Sequence, residues 1–408
     1  MTFRSSHLTA RRAAIIPMAA LLMTLMVGML AFSIDIGYIC AVEAELQNAA
    51  DAAALAGAQQ MQSPFVSFYS PGQTQQQQIY LQVTTDTSNP ASPIPTAQQF
   101  AASNQAGGVN IQVPVTDISF SYYDGTNPFV AASYPDYFPN TITVITRRDT
   151  TANGSLGLFF GQIFGITTSN LTATASATIY AGDVSSLQVI SGVSAHILPV
   201  ALDVNVWANF ANGNLTSDWL TNAVTTGSNG NPQLQVYING TNTPGSFGLL
   251  DVGVPSNSAP AFRNWIDSGS TPNDISYLLS NNLLPVSPTS PEPWKAGPGL
   301  KDTLLTNFQS QIGQPNLIPL FQASNPVPGS SYVAATGTGQ NATYAIVGFV
   351  GITISQADGS GGGLTISIQP SAIVDPTEVI LNASPARASQ TTIFGTPQTT
   401  FVSAKLTQ

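Results

Sequence analysis

Twenty-two consecutive residues, Ala13 to Ile34, carry no charge, and they constrain this chain more than any other stretch. At ~1.5 Å rise per residue a helix of that length spans about 33 Å, enough to cross a hydrocarbon core. Ala13, Ile16, Leu21, Leu25, Val27, Leu30, Phe32 and Ile34 are its anchor residues. Charge returns at Asp35. Beyond it Ala, Leu, Glu and Gln dominate, and no proline appears before Pro64, so the spacing predicts a helix that leaves the membrane and continues.

The outer half of that helix is patterned. Ile39, Val42, Leu46, Ala49, Ala53 and Ala56 recur three and four apart and lay one narrow apolar seam, while Glu43, Gln47 and Asp51 form a polar stripe on another side. The seam begins with large side chains and ends in alanines, so a partner can approach closely. Two partners satisfy the pattern: this chain's own ectodomain, or a neighbouring copy that makes the seam an assembly surface.

Ile34-Asp35-x-Gly37, followed by the run Glu45-Leu46-Gln47-Asn48-Ala49-Ala50-Asp51-Ala52-Ala53-Ala54-Leu55-Ala56-Gly57-Ala58, resembles the N-terminal segment of TadE/TadG-like proteins of Flp (tight adherence) pilus assembly. In that family an Arg pair, one membrane helix and such an alanine-rich run occur in this order; here the pair is Arg11-Arg12. The resemblance covers about fifty residues. It implies an envelope protein associated with a pilus or secretion system, and no defined activity.

Charge distribution sets the expected orientation. Arg4, Arg11 and Arg12 precede the apolar run, and seven basic residues follow it against all twenty acids, a balance of −13. The positive-inside rule then predicts a single-pass cell-membrane protein with a cytoplasmic N-terminus and an extracytoplasmic remainder. So acidic an ectodomain is not expected to bind nucleic acid. A cleaved signal peptide is the competing reading, with Ala31-x-Ser33 as its cleavage site, but the apolar run exceeds the usual length and helix-forming sequence continues through that site. Cys40 is the one cysteine, so no internal disulfide forms; two copies meeting just outside the membrane would bring their Cys40 thiols together.

Only 7% of residues are charged while 43% are apolar, which fits a β-rich extracytoplasmic protein rather than a solvated disordered chain. The expected class is α+β: a long N-terminal membrane-spanning helix, then a β-rich region of two domains. Residues 1–61 form the cytoplasmic stub, membrane helix and extension, and residues 62–109, with Gln- and Thr/Ser/Pro-rich runs, a linker. Residues 110–182 alternate with period two around the apolar stretch Leu156 to Ile166, expected as a short buried helix in a small α+β domain. Residues 183–382 form a β-rich ectodomain, in which Asn316–Phe321, Tyr344–Ile354 and Leu364–Ile368 pair as neighbouring strands, and residues 383–408 are a tail.

Chemistry-bearing patterns are sparse, and no catalytic, metal or cofactor residue is expected. A hydrolase would have to use His196, with Asp183 or Asp203 to orient it, yet no Gly-x-Ser-x-Gly elbow exists and His196 lies among apolar neighbours. Asp183-Val184-Ser185-Ser186 resembles the Asp-x-Ser-x-Ser motif of the von Willebrand A domain carried by many TadG-like proteins, but Leu187 occupies its last serine. Trp207, Trp219, Trp265 and Trp294 suit either a core or a sugar-binding face. Arg147-Arg148 is expected at a solvated strand end. The leading expectation is a non-enzymatic, membrane-anchored structural or assembly component whose partners are the membrane and, through the N-terminal helix, other envelope or pilus-assembly proteins or itself. A surface-displayed adhesin is the alternative, and an anchored hydrolase stands behind both.

Overall fold

The computed structural model describes residues 9–126, 128–213, 224–237, 247–256, 258–297, 302–322, 342–359, 364–386 and 399–407. Its first element, α1, is an unbroken 51-residue helix, Thr9–Gln59. At ~1.5 Å per residue it is about 77 Å long. The alanine-rich composition explains why it does not stop at the charge boundary: straight-chain and small residues lose little side-chain freedom in a helix.

Three short helices follow: α2 (Gln62–Tyr69), α3 (Gln76–Thr85) and α4 (Pro93–Ala102). They replace the linker expected over residues 62–109. Their Gln, Thr and Ser content hid a sparse apolar set, Phe65, Val66, Phe68, Val83, Ile94 and Ala97, all buried. α4 begins with proline in its first turn, where a missing N–H costs nothing.

The strands then assemble around one long element. β1 (Ile118–Tyr122) pairs antiparallel with β2 (Thr141–Arg148), and β2 with the first half of β3 (Leu171–Leu187), from Arg148 opposite Leu171 to Thr141 opposite Thr178. Beyond β3 come β4 (Val200–Asp203), α5 (Val204–Ala211) and β5 (Pro232–Tyr237). The run Ile197 to Val206 therefore divides into strand and helix, because Asp203 caps α5 by accepting the Asn205 N–H at 2.7 Å. Asn239-Gly240, whose sequence is a hairpin-turn signal after the alternating Leu234, Val236 and Ile238, lies outside the described residues.

Helices α6 (Ala259–Ser268) and α7 (Pro272–Ser280) follow, the latter opened by a Thr271/Asp274 capping box. Next come β6 (Glu292–Lys295), α8 (Leu305–Ser310), β7 (Pro315–Phe321), β8 (Thr343–Asp358) and β9 (Thr365–Pro370). β8 pairs antiparallel with both β7 and β9, the neighbour relation that the sequence predicts. The chain returns to β3 through β10 (Glu378–Pro385) and β11 (Phe401–Leu406). The segment expected as a tail thus supplies sheet pairing, and Phe401 is 1% exposed.

Two apolar cores result. One gathers the outer half of α1, α2 to α4, β1, β2 and β3 as far as Ala181, together with Phe401 and Ala404 of β11. The other begins at Val184 of the same β3 and takes in β4 to β9 with α5 to α8. β3 is continuous through both.

Candidate functional site

The anchor half of α1 is bare. Ile16 is 74% exposed, and Leu21, Leu25, Val27, Leu30, Phe32 and Ile34 are exposed as well. The Ala13 side chain lies outside the described residues. In water so continuous an apolar surface would be a liability, whereas hydrocarbon removes the cost.

The outer half is the opposite. Val42, Leu46, Ala49, Ala53 and Ala56 are buried and Ile39 partly so, packed against α4, β2, β3 and β11 of the same chain. Of the two partners the seam admits, the chain's own ectodomain occupies it. No second copy is therefore needed to cover Val42, Leu46, Ala49, Ala53 and Ala56, which the chain's own core encloses. The small residues explain the depth of the packing. A Cβ on Gly57 would come within 2.7 Å of Ile142 Cδ1 and 3.3 Å of the Pro93 carbonyl. Polar groups lock the register: Thr146 Oγ1 donates to the Leu46 carbonyl at 2.9 Å, Gln47 Nε2 to the Thr174 carbonyl at 3.2 Å, and Glu45 Oε2 accepts the Gly107 N–H at 2.7 Å. A helix that enters a core this way is part of the ectodomain fold, not a tether to it.

At the junction between the two halves, Asp35 is 5% exposed. Its carboxylate accepts the main-chain N–H groups of Phe159 and Phe160, at 2.8 and 3.0 Å. The Tyr38 ring lies 5.0 Å from that of Phe159. These phenylalanines belong to the stretch expected as a buried helix. Instead Leu156–Gly157 pairs with Thr168–Ser169 to make a hairpin, and only Gly161–Phe164 forms a short 3-10 turn. Phe159, Ile163, Phe164 and Ile166 are 62, 74, 64 and 57% exposed. Three glycines in eleven residues break helical continuity, with Gly165 left-handed at φ 79°, and the apolar pattern was mistaken for a core signal.

The chemistry-bearing candidates disperse. His196 pairs with Asp375 rather than Asp183 or Asp203, Nδ1 to Oδ2 at 3.4 Å, and that hydrogen bond raises the imidazole pKa. Burial works to raise the Asp375 pKa, but hydrogen bonds from His196 and Thr377 outweigh it and hold the carboxyl at about 2. Among the described residues no hydrogen bond joins a serine hydroxyl to His196. Asp183 stands within β3 opposite Leu381, its pKa pushed up to about 6 by burial, so Asp183-Val184-Ser185-Ser186 is paired strand and not a metal-holding loop. Among the described residues no three His, Cys, Asp or Glu side chains are grouped to hold a metal ion.

Trp207, Trp265 and Trp294 are buried, which removes them from any sugar-binding face, while Trp219 lies outside the described residues. Arg148 is buried and Arg147 only partly exposed, and both are held by hydrogen bonds. The Arg147 guanidinium clamps Asp117 at 2.6 and 2.7 Å, and Arg148, 7% exposed, donates to the carbonyls of Ala106 at 2.6 Å and Gly154 at 2.9 Å. Both arginines tie the strand edge to loops, a role invisible to a reading that sees only two adjacent charges.

What the geometry assembles is therefore one helix with a bare apolar half and a half built into a core. Among the described residues one helix is long and apolar enough to cross a membrane. Residues 13–60 match the Tad family model, described as TadE/G-like Flp pilus-assembly, and residues 37–177 match Tad_C, described as Tad-like Flp pilus-assembly. The N-terminal region resembles the Tad pilus-assembly families. The first Tad match coincides with nearly all of α1, and the second ends inside β3, so it spans the α1 seam, α2 to α4, and β1 and β2. The Tad-like region is thus the part of the chain that encloses the seam. No curated protein and no solved structure matches the chain.

Proposed function

We propose that this chain is a non-enzymatic, membrane-anchored structural component of a Flp or tight-adherence-type pilus or related envelope system, with its N-terminus cytoplasmic and its ectodomain extracytoplasmic. The Tad matches support a pilus-assembly role in general. The observation that carries the finer reading is the continuity of α1: one helix, bare over the anchor and enclosed over the seam. Because no hinge separates the two, the orientation of the anchor in the bilayer dictates the orientation of the ectodomain. Rigid coupling of this kind suits a part that must present a surface to other envelope proteins at fixed height and angle. A displayed adhesin has no need of it, since a flexible linker serves display as well.

With the seam enclosed, other pilus-assembly or envelope proteins are expected to meet the outer ectodomain surface rather than Val42, Leu46, Ala49 and Ala53. Deletion of the gene in the source cell, with pili counted by electron microscopy, tests the reading. Loss of pili restored by the full chain, but not by a chain with a flexible Gly/Ser insertion between Ile36 and Gly37, supports it. Undisturbed pilus assembly after deletion overturns it.

A further inference from the structure

The hairpin between Leu156 and Ser169 has no place in a water-facing surface. Its tip, Leu158 to Ile166, carries no charge, and four of its large apolar side chains are more than half exposed. Exposed apolar patches of this kind mark contact with something other than water. Position identifies what. The hairpin stands beside α1 at Asp35, and between the two runs a groove of about 1070 Å³ whose walls are Leu21, Leu25 and Phe32 on the helix and Phe160, Ile163 and Phe164 on the hairpin. Those helix residues belong to the stretch that lies in hydrocarbon if α1 spans the membrane. The hairpin tip therefore lies alongside that stretch, on the anchor side of the first charge.

The backbone is prepared for such a place. In hydrocarbon an unpaired main-chain group is costly, so irregular structure is tolerated only where its polar groups are satisfied. Here the Leu158 N–H donates to Thr167 at 3.0 Å, Ile163 to Phe160 at 3.0 Å, Gly165 to Gln162 at 3.1 Å and Ile166 to Gly161 at 3.0 Å. Two further N–H groups, those of Phe159 and Phe160, are taken by the Asp35 carboxylate from the helix. The buried carboxylate and the closed hairpin thus answer one requirement.

We propose that the Leu158–Ile166 hairpin inserts into the outer leaflet as a second membrane contact, with lipid acyl chains filling the groove between it and α1. The proposal rests on the reading of α1 as a membrane-spanning anchor and goes beyond it. One helix fixes depth but leaves rotation about its own axis free. A hairpin immersed to one side of the helix removes that freedom and tells the ectodomain which way to lie on the membrane.

The test uses the full chain in phospholipid nanodiscs, in a Cys40→Ser background, with single cysteines carrying an environment-sensitive bimane at Ile163, Leu25 or Ser228. All three positions are exposed, so labelling disturbs no core, and Phe164 provides an independent second site on the hairpin. Lipids with a nitroxide on the acyl chain are expected to quench the probes at Leu25 and Ile163, with blue-shifted emission at both, while only an aqueous quencher reaches Ser228. If Leu25 is quenched by lipid and the hairpin probes behave like Ser228, the anchor stands and the hairpin proposal falls. Hairpin probes shielded from both quenchers would reveal a protein covering and also overturn it. If Leu25 escapes lipid quenching, the anchor reading itself fails, and the proposal with it.

Discussion

The carboxylate of Asp35 accepts the main-chain N–H of Phe159 at 2.8 Å, across 124 residues of sequence. This bond joins the first charge after the apolar run to an apolar hairpin tip that lies outside both cores. It makes the end of the uncharged run a structural joint instead of a mere change in composition. The same carboxylate also accepts from Phe160, so one side chain satisfies two consecutive donors.

Removing that acceptor exposes the cost of leaving both donors unpaired. Asp35→Ala is expected to loosen the hairpin by about 1–3 kcal/mol for each buried group left unsatisfied. Hydrogen exchange on the nanodisc-embedded protein would read this as faster exchange of the Phe159 and Phe160 amides, with the α4 and β2 amides unaffected. Unchanged exchange at both phenylalanines would show that the carboxylate does not hold the hairpin.

Two glycines of α1 give opposite predictions from the same substitution. At Gly57 a new Cβ meets Ile142 Cδ1 at 2.7 Å, so Gly57→Ala makes the enclosed Ile142 side chain repack, and Gly57→Val is expected to cost about 1–3 kcal/mol through overpacking. At Gly28 nothing lies within 4 Å, and Gly28→Ala should leave stability unchanged or raise it by up to about 1 kcal/mol through helix propensity. Thermal unfolding of the two alanine variants in the same detergent decides the matter. Equal melting temperatures would mean that the alanine-rich run does not need its close approach.

How much of this was legible in the sequence depends on how local the cause was. The 22 uncharged residues and the three-and-four spacing from Ile39 to Ala56 are local, and both the continuous helix and its buried seam follow from them. Which body covers the seam is not local, because Thr146 meets Leu46, and Pro93 meets Gly57, only in the folded chain. Leu156 to Ile166 misled for a related reason: apolar composition says that a segment avoids water, not whether protein or lipid replaces it. β11 is not legible in the sequence because Phe401 to Leu406 is short and lacks a strict period-two alternation, and its stability comes from β3, more than two hundred residues away. The helices over residues 62–109 are likewise held by the core they join rather than by their own propensity.

Glu378 supplies a pH dependence. Among the described residues neither of its carboxylate oxygens has a hydrogen-bond partner, and burial, reinforced by the nearby charge of Asp375, pushes its pKa up to about 9. A carboxyl with a raised folded-state pKa favours the fold while protonated. Its contribution is complete below the unfolded value near 4.5 and is lost progressively as pH rises through about 9. Glu378→Gln keeps the shape without the charge. It is expected to leave stability unchanged at pH 4 and to raise it increasingly from neutral pH to pH 9. Denaturant melts at pH 4, 7 and 9 provide the check, and a gain that did not grow with pH would show that the charge is relieved in the fold.

The last strand gives the sharpest test of whether the C-terminal segment belongs to the core. Phe401 is 1% exposed, with its ring 6.2 Å from that of Phe65, edge to face, and its backbone opposite Ala181 in β3. Phe65 belongs to α2 and Ala181 to the end of the core that also encloses the seam, so Phe401 closes that core from the far end of the chain. Phe401→Ala removes a fully enclosed ring and is expected to destabilise by about 3–5 kcal/mol. Leu406, in the same strand but 42% exposed, is the internal control: Leu406→Ala should stay within about 0.5 kcal/mol. If the two variants melt alike, β11 is a peripheral addition and the seam core closes without it. If only Phe401→Ala melts early, the Tad-like region depends for its stability on sequence well beyond the residues that match the family.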